Sequence, residues 1–416
     1  MEMNKTQINK LGRVIKVKLR NEEELSFDEI ENLQEYRISF KEDLSEVFKL
    51  ITNLSTTGRK DSIVSYRIKR IESILSKIRR EPTMALGNMG DIAGCRIILY
   101  SKKELLNLVE VIKEKFEITS INDYLASPKE DGYNGFHIYV KSPLNDYKKI
   151  EIQLRLITTH KWASLVEIID ILYNLKLKEG ERNDDLLEFL YLLSLDKKEI
   201  SIDQKKRIIE IDNTFRIYSR LNEVFLKNHI TIRHKWLKIS ENRDNNYFIF
   251  EVDKHKKSDL TSFEDYLLSE DAYFEKFRKT DESNFVLAYI EKPSFKRICI
   301  AYSSYLLIKH DYLEDYWNDF SNDIISSQGS KDIKIYEDYI TRNIDDVKLQ
   351  ILKEVNEIET YLENSKNNQS SFSKIGVREW VEELKERLAD LSQKKVDFSK
   401  KIDSRKQPSL WDRIFK

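Results

Sequence analysis

Residues 149–156 of this 416-residue chain read KIEIQLRL, in which apolar and polar side chains alternate strictly. A period of two predicts a β-strand that turns Ile150, Ile152 and Leu154 towards the core. The preceding candidate strand, FHIYVK at 136–141, alternates in the same way. If the two strands pair as a hairpin, their other face carries a carboxylate, an amide, a guanidinium and an imidazole. Both a polar cleft and an ordinary solvated surface are consistent with this alternation.

Outward from this pair, strand and helix patterns alternate over residues 61–175. The other strand candidates are SIVSYRIK (62–69), AGCRIILY (93–100) and EITSINDYL (117–125). The helix candidates are ESILSKIRR (72–80), KELLNLVEVIKEKF (103–116) and a segment that starts near Thr158. The sequence therefore predicts a mixed α/β domain with a sheet of about five strands flanked by helices.

The rest of the chain is predicted to form four further segments. They are an N-terminal helical segment at 1–60, a helical segment at 176–243, a small second α/β unit at 244–326 and a C-terminal helical hairpin and tail at 332–416. Within the first, Ser26 and Glu29 form a capping box that starts one helix over 26–56. Within the third, Thr261 and Glu264 predict the start of a helix between two strands. The stretch 298–308 fits either a helix or a strand.

Composition restricts the class of protein. Charged residues make up 34% and hydrophobic ones 40%, and no apolar run approaches a membrane span, so we expect neither a membrane protein nor a membrane partner. The first 25 residues lack the apolar core of a secretory signal. The only two cysteines, Cys95 and Cys299, share no metal-type spacing. One disulfide is arithmetically possible, but a reducing cytoplasm is the favoured interpretation.

Basic residues cluster before the second strand. Arg67 and Lys69 fall on one strand face, while Ser73, Lys77 and Arg80 fall on one helix face. Several cations in so short a stretch suit a polyphosphate, which forms charge-assisted hydrogen bonds with lysine and arginine. For a charge cluster alone, a solvated helix face is the favoured interpretation.

Two carboxylates and an aromatic turn complete the candidate chemistry. Asp91 precedes the strand at 93–100, and a second carboxylate facing it, such as Glu151, would allow Mg²⁺ binding. The turn Pro128-Lys129-Glu130-Asp131-Gly132-Tyr133 predicts an exposed tyrosine beside a lysine, on which a nucleobase could stack.

In this order, the motifs R-x-K…S-x3-K-x2-R, D-I-A-G-x-R, D-Y…P-K-x2-G-Y-x3-H and E-I-Q-x-R resemble the synthetase domain of RelA/SpoT-type alarmone synthetases. The resemblance covers roughly residues 40–175. It implies a nucleotidyltransferase-like sheet and an enzyme that moves the β,γ-pyrophosphate of ATP to the 3′-hydroxyl of GDP or GTP, making (p)ppGpp. It also implies Mg²⁺ as cofactor, held by Asp91 and Glu151, the two catalytic carboxylates.

The remaining site residues carry over position by position. The resemblance assigns ATP binding to Arg67, Lys69, Ser73, Lys77, Arg80 and Arg96. It assigns acceptor binding to Lys129, Gly132, Tyr133, His137, Gln153 and Arg155, with Tyr133 stacking on the guanine.

Departures from the family pattern lie on the acceptor side. Leu156 stands where threonine is usual, and Gly135 stands where serine is common. The motif His160-x-Trp162-Ala163-x3-Glu167 resembles the H-x-W-A-x3-E motif of one subgroup of the family. Some relatives are toxins that pyrophosphorylate the 3′ end of tRNA. The alternative to a GDP or GTP acceptor is therefore the 3′ end of tRNA. The second alternative is that the protein is an inactive sensor that binds nucleotides without catalysis. A homo-oligomer and a partner of the C-terminal region stay open.

Two other motifs are not predicted to be functional sites. His310-Asp311 resembles the metal motif of the family's hydrolase domain, but that domain precedes the synthetase and needs more histidines, so no hydrolase is predicted. The basic and aromatic stretch 229–238 is interpreted as surface decoration rather than as an RNA contact.

Overall fold

The structure, a computed structural model, describes residues 3–57, 62–81, 83–175, 183–240, 244–253, 257–279, 283–306, 323, 330–367 and 374–406. The chain divides into two compact units. The first comprises the described parts of 1–164 and 243–306, and the second those of 165–175, 182–242 and 307–416. Among the described residues, no helix combines the length and the apolar character needed to cross a membrane.

The first unit is a sheet of eight strands with helices packed on it. Its strands are β1 (Ile63–Ile68), β2 (Ala93–Leu99), β3 (Ile118–Asp123), β4 (Phe136–Lys141), β5 (Lys149–Leu156), β6 (Tyr247–Asp253), β7 (Ser258–Phe263) and β8 (Ser283–Ile290). Its helices are α1 (Lys5–Arg20), α2 (Phe27–Ile38), α3 (Lys41–Thr56), α4 (Ile71–Arg80), a 3₁₀ turn (Leu86–Asn88), α5 (Lys102–Lys115), the start of α6 (Ile157–Tyr173), α10 (Tyr266–Lys279) and α11 (Phe295–Leu306).

The strand order is β3-β4-β5-β2-β1-β8-β6-β7. Only β2 and β5 run parallel, so the sheet is mixed. The mixed α/β class is confirmed, and the five predicted strands correspond to β1 to β5. The predicted strand number is too low, because β8 pairs with β1 and extends the same sheet to eight strands.

The second α/β unit predicted at 244–326 therefore has no sheet of its own in the described residues. Strands β6, β7 and β8 continue the first sheet, and pairing of Tyr66 with Leu287 joins them to β1. The predicted capping role of Thr261 is wrong, because Thr261 lies in β7. Asp265 caps α10 instead, since its carboxylate accepts the Leu268 amide at 3.0 Å. The ambiguous stretch is helical in α11, as far as residue 306.

The helix predicted over 26–56 is interrupted between α2 and α3. The capping box of Ser26 and Glu29 does start α2. At the break, the Ser39 carbonyl accepts a hydrogen bond from Lys148 Nζ at 2.6 Å, and Lys148 also pairs with Asp43 at 3.0 Å. This contact joins residues about a hundred positions apart, so helical periodicity does not reveal it.

The second unit is helical. Its helices are α7 (Asp184–Ser194), α8 (Ile202–Phe215), α9 (Ile217–Ile239), α12 (Ser330–Asn367) and α13 (Lys374–Lys406), together with the end of α6. Helices α12 and α13 pack on each other, which agrees with the predicted C-terminal hairpin. His310-Asp311 lies outside the described residues, and so do residues 325–329 between the predicted segments 244–326 and 332–416.

The basic stretch of α9 packs inside this unit. Arg233 is 3% exposed and pairs with Glu383 of α13 at 2.9 Å, while His229 pairs with Glu354 of α12 at 3.0 Å. The interpretation of 229–238 as surface decoration is wrong for Arg233, because α13 covers this side chain.

Candidate active site

Strands β4 and β5 bring four predicted site residues onto one face of the sheet, namely His137, Glu151, Gln153 and Arg155. They pair antiparallel with His137 opposite Gln153 and Tyr139 opposite Glu151. Ile138 and Ile152, on the other face, are fully buried. The predicted hairpin is thus confirmed. Its polar face is no ordinary solvated surface, because His137 and Glu151 are each only 8% exposed.

The Glu151 carboxylate is held by three side chains. Oε1 accepts hydrogen bonds from Tyr139 Oη at 2.8 Å and His137 Nδ1 at 3.0 Å. Oε2 accepts one from Gln153 Nε2 at 2.7 Å. Burial by itself raises the pKa of Glu151, but the hydrogen bonds and the charge of His137 outweigh burial, and the pKa lies below its usual value. Glu151 is therefore a firmly oriented, ionised carboxylate.

The Asp91 carboxylate is paired with two lysines. Lys69 Nζ lies 3.1 Å from Oδ2, and Lys77 Nζ lies 3.0 Å from both oxygens. Burial lowers the pKa of Lys69, the charge of Asp91 opposes that shift, and the charges of Arg67 and Lys77 add to it. Three of the predicted phosphate-binding cations therefore lie within electrostatic range of one another, around a single carboxylate.

Tyr139 lies beside both carboxylates. Burial raises the pKa of its hydroxyl, and the negative charges of Glu151 and Asp91 raise it further. The backbone at Gly90, next to Asp91, approaches the Tyr139 ring so closely that a Cβ there would lie 2.8 Å from Cδ1. The sequence reasoning did not choose Tyr139 as a site residue, although its outward position on β4 was the available signal.

Gly94 explains how β2 and β5 come together beneath the carboxylates. It pairs with Glu151 in the parallel register, and a Cβ on Gly94 would lie 2.9 Å from the Glu151 carbonyl oxygen. Two positions further along β2, Arg96 Nε donates to Gln153 Oε1 at 3.3 Å. Arg96, predicted to bind ATP, thus contacts a residue predicted to bind the acceptor.

The other predicted donor residues lie along α4 and β1. Arg67 is half-buried at the end of β1, and Ser73 is half-buried one turn before Lys77. Arg80 is exposed at the last position of α4. The structure thus places Lys69 and Lys77 in direct contact with Asp91. Arg67 is close enough for its charge to lower the pKa of Lys69.

The loop between β3 and β4, residues 124–135, is called the acceptor loop here because it contains residues predicted to bind the acceptor. It forms the predicted glycine turn. Gly132 has φ of 90°, a conformation that favours glycine. The Lys129 amide donates to the Tyr133 carbonyl at 3.0 Å, and the Gly132 amide donates to the Lys129 carbonyl at 2.9 Å. Lys129 Nζ lies 5.4 Å from the centre of the Tyr133 ring and 4.7 Å from that of Tyr124.

The prediction that Tyr133 is exposed is wrong, because its side chain folds inward and is 7% exposed. Its Oη lies 2.7 Å from His137 Nε2 and accepts a hydrogen bond from Arg155 Nε at 3.1 Å. Gly135 makes room for the ring, since a Cβ there would lie 2.5 Å from Tyr133 Oη. Hydrogen bonds thus connect Arg155, Tyr133, His137 and Glu151 in series.

The more exposed ring of the acceptor loop is Tyr124. It is half-buried and borders an open depression of about 510 Å³. The depression is lined by Tyr124, Ser127, Pro128, Lys129, Glu130 and Asp131. Tyr124 is the tyrosine of the D-Y motif, to which the family resemblance assigns no role. Its ring and the Lys129 ammonium offer an aromatic surface next to a cation, which can bind a nucleobase.

Helix α6 closes the acceptor side. His160 is buried, and its Nε2 donates to the Ala301 carbonyl at 2.8 Å, a contact that packs α6 on α11. Trp162 is buried with its ring centre 6.4 Å from that of Tyr133. His160 therefore has a packing role here, while Trp162 backs the inward-folded tyrosine.

Carboxylate oxygens are the ligands that a hard divalent cation prefers, and such a cation would also bind substrate phosphates. The described residues contain no group of three or more His, Cys, Asp or Glu side chains arranged around one point. Mg²⁺ commonly takes one or two protein carboxylates and completes its shell with phosphate oxygens and water. Asp91 and Glu151, whose charges both act on the Tyr139 hydroxyl, would be the pair to hold such an ion.

Comparisons with known proteins agree with the sequence motifs. Residues 66–176 match the family described as "Region found in RelA / SpoT proteins". GTP pyrophosphokinase YwaC of Bacillus subtilis is 37% identical over 111 residues, which cover 24% of this chain and 53% of that protein. GTP pyrophosphokinase YjbM of the same organism is 31% identical over 120 residues, covering 27% and 57%. The resemblance to RelA/SpoT proteins is thus confirmed for this region.

The match spans only about half the length of these relatives. Among solved structures, small alarmone synthetase 2 from Bacillus subtilis is 29% identical to this chain, with a TM-score of 0.31. That comparison covers 37% of this chain and 84% of the other.

Proposed function

We propose that this protein is a pyrophosphokinase that transfers the β,γ-pyrophosphate of ATP to the 3′-hydroxyl of GDP or GTP, breaking the α,β-phosphoanhydride bond and releasing AMP and the hydroxyl proton. The observation that carries the proposal is the arrangement around Tyr139. The Tyr139 hydroxyl donates to a buried, ionised Glu151, and the charge of Asp91, which is paired with two lysines, also acts on this hydroxyl. Both carboxylates belong to the region that matches RelA/SpoT proteins. Two relatives of that region are named GTP pyrophosphokinases.

The cations around Asp91 would bind the triphosphate. Lys69 and Lys77 now neutralise Asp91 at 3.0–3.1 Å. A triphosphate carries more charge than one carboxylate, and it would draw both ammonium groups into charge-assisted hydrogen bonds with its oxygens. Arg67 and Arg80, at the ends of β1 and α4, would contribute guanidinium groups to the same anion. Binding of this kind places the phosphates and neutralises their charge, which is most of what phosphoryl transfer requires.

Asp91 and Glu151 would hold the metal. When bound, Mg²⁺ would neutralise charge that develops on the transferred group. Glu151 would also have a role at the attacking hydroxyl, and its lowered pKa keeps it ionised. It would orient the attacking hydroxyl by accepting its hydrogen bond, and the donors from Tyr139, His137 and Gln153 hold it in place.

The acceptor would enter beside Lys129. Tyr124 and Lys129 border the open depression, while Tyr133 is folded inward. The acceptor base would therefore meet the Tyr124 ring first, and reach Tyr133 only if that ring turns outward. A tRNA 3′ end stays the second candidate acceptor, because the departures from the family pattern at Gly135, Leu156 and Trp162 lie on the acceptor side.

The test is transfer of label from ATP to a defined acceptor. The 416-residue protein is incubated with Mg²⁺, ATP labelled at the γ-phosphate, and either GDP, GTP or deacylated tRNA. We expect labelled guanosine tetra- or pentaphosphate. Label on tRNA alone would contradict the guanosine acceptor and favour the second candidate. An absence of labelled acceptor in every arm would contradict a pyrophosphokinase.

Two variants connect the activity to this site. Asp91→Asn and Glu151→Gln should each lower transfer by about 10²-fold or more, because each removes an anionic metal ligand. Glu110→Gln is the matched control, since this exposed carboxylate on α5 pairs only locally with Lys113. Circular dichroism spectra of the three variants should match that of the wild type. Wild-type turnover in either site variant would contradict the metal assignment.

A further inference from the structure

We infer that Tyr273, which lies outside the region matching RelA/SpoT proteins, is a positioning residue for the ATP site. The inference rests on the proposed function of Lys69 and Asp91. Tyr273 belongs to α10, in the segment that adds β6, β7 and β8 to the sheet. Its hydroxyl accepts a hydrogen bond from the Ile68 amide at 3.1 Å, one residue before Lys69.

The hydroxyl takes over where strand pairing stops. The register between β1 and β8 runs from Ile63 opposite Ile290 to Tyr66 opposite Leu287. Beyond Tyr66, the Ile68 amide bonds to Tyr273 instead of to a strand. Both Tyr273 and Ile68 are buried, so water does not replace this acceptor. A buried amide that loses its acceptor destabilises the local backbone.

The next residue is fixed from two other directions. The Lys69 amide donates to the Ile92 carbonyl at 2.7 Å, directly beside Asp91. The Lys69 carbonyl accepts a hydrogen bond from Arg37 Nε at 2.8 Å. Three hydrogen bonds from three separate elements thus hold the backbone from which the Lys69 side chain reaches Asp91.

Helix α10 also supports the Arg37 contact. The Arg37 guanidinium lies 4.4 Å from the centre of the Phe277 ring, one turn after Tyr273. Gln34 Nε2 donates to the Phe277 carbonyl at 2.8 Å, which joins α2 to the same turn. One face of α10 therefore acts on the end of β1 directly through Tyr273 and indirectly through Arg37.

Aromatic packing determines where the hydroxyl lies. The Tyr273 ring meets Tyr66 edge-on at 5.3 Å and stacks with Phe277 at 6.0 Å. The other end of β1 is held by the same segment, because Arg297 donates to the Ser62 carbonyl at 3.2 Å. Strand β1 is thus held at both ends by residues 283–306 and α10, and the added segment is part of the frame of the ATP site.

The test compares two tyrosines of α10. Tyr273→Phe keeps the ring and removes the acceptor of the Ile68 amide. Calorimetry should show a dissociation constant for a non-hydrolysable ATP analogue that is about three- to tenfold higher. Affinity for GDP should be unchanged. Hydrogen exchange in a peptide covering residues 63–69 should become faster. Tyr266→Phe is the control, because its hydroxyl forms hydrogen bonds with the side chains of Ser45 and Glu270 and not with the Ile68 amide.

The pair of variants separates positioning from stability. Tyr266→Phe should lower thermal stability and leave affinity for the ATP analogue unchanged. Wild-type affinity in Tyr273→Phe, or equal losses in both variants, would overturn the inference. Rapid exchange of the 63–69 peptide in the wild type would also overturn it, whether or not the variants fold. Because binding is measured without turnover, failure of this inference is distinct from failure of the proposed reaction.

Discussion

At the residue scale, the structure shows how one absent side chain decides the position of another. Gly135 leaves the space into which the Tyr133 hydroxyl folds, 2.5 Å from where a Cβ would be. The sequence shows that both residues are present and that Gly132 makes the turn. It does not show the inward rotamer, because that choice depends on His137 and Arg155, which lie on two strands.

Gly135→Ala should therefore destabilise the protein by about 1–3 kcal/mol, because the new methyl group displaces the Tyr133 ring and breaks its two hydrogen bonds. The measurement is the free energy of unfolding in urea. The double variant with Tyr133→Ala is the control, since it removes the clash. The cost of the glycine change should shrink in that background. Additive effects of the two changes would contradict the contact.

The positions of the candidate site residues were predicted correctly where the pattern within one strand decides them, and incorrectly where distant residues decide them. Glu151, Gln153 and His137 share a sheet face because strand periodicity requires it, and their pairing followed from two adjacent segments. Periodicity places Tyr139 on the polar face of β4, but neither Tyr139 nor Tyr124 was predicted as a site residue, because the sequence does not show which side chains surround a tyrosine. The inward position of Tyr133 was missed for the same reason.

At the scale of elements, periodicity located β1 to β5, α4, α5 and the start of α6. It failed where a distant residue decides. The break between α2 and α3 depends on Lys148, and β7 was missed because Thr261 also fits a helix cap. Pairing of β8 with β1 joins segments about 220 residues apart along the chain, and no pattern within either strand indicates its partner.

The C-terminal hairpin allows a matched test of this periodicity. Ile351 of α12 is 1% exposed, whereas its neighbour Leu352 is 53% exposed. Ile351→Ala should lower the free energy of unfolding by about 2–5 kcal/mol, because it leaves a cavity. Leu352→Ala should change it by less than about 0.5 kcal/mol. Helical circular dichroism followed in urea gives both values. Equal effects would mean that the apolar stripe does not face a packed partner.

At the scale of the whole molecule, the main finding is that the added strands belong to the sheet that carries the candidate site. The two carboxylates lie near β2 and β5, and β1 lies between β2 and β8. The sequence predicted two sheets because each half contains its own strands and helices. A single sheet has a different consequence, since disturbing β8 should reach β2 through β1.

Leu287→Ala tests whether this sheet unfolds as one body. Leu287 is fully buried in β8 and is paired with Tyr66 on one side and Ile249 on the other. Removing three carbons there should cost about 2–5 kcal/mol. Hydrogen exchange should then accelerate by the same factor in peptides 93–99 and 247–253, because both depend on one cooperative opening.

The exposed Leu268 on α10, at 64%, provides the control, and Leu268→Ala should leave exchange in both peptides unchanged. Two independent domains would behave differently from one sheet. In that case Leu287→Ala would accelerate exchange in peptide 247–253 alone, and peptide 93–99 beside the candidate site would keep its protection. Equal acceleration would mean that the stability of the candidate site depends on strands outside the region that matches RelA/SpoT proteins.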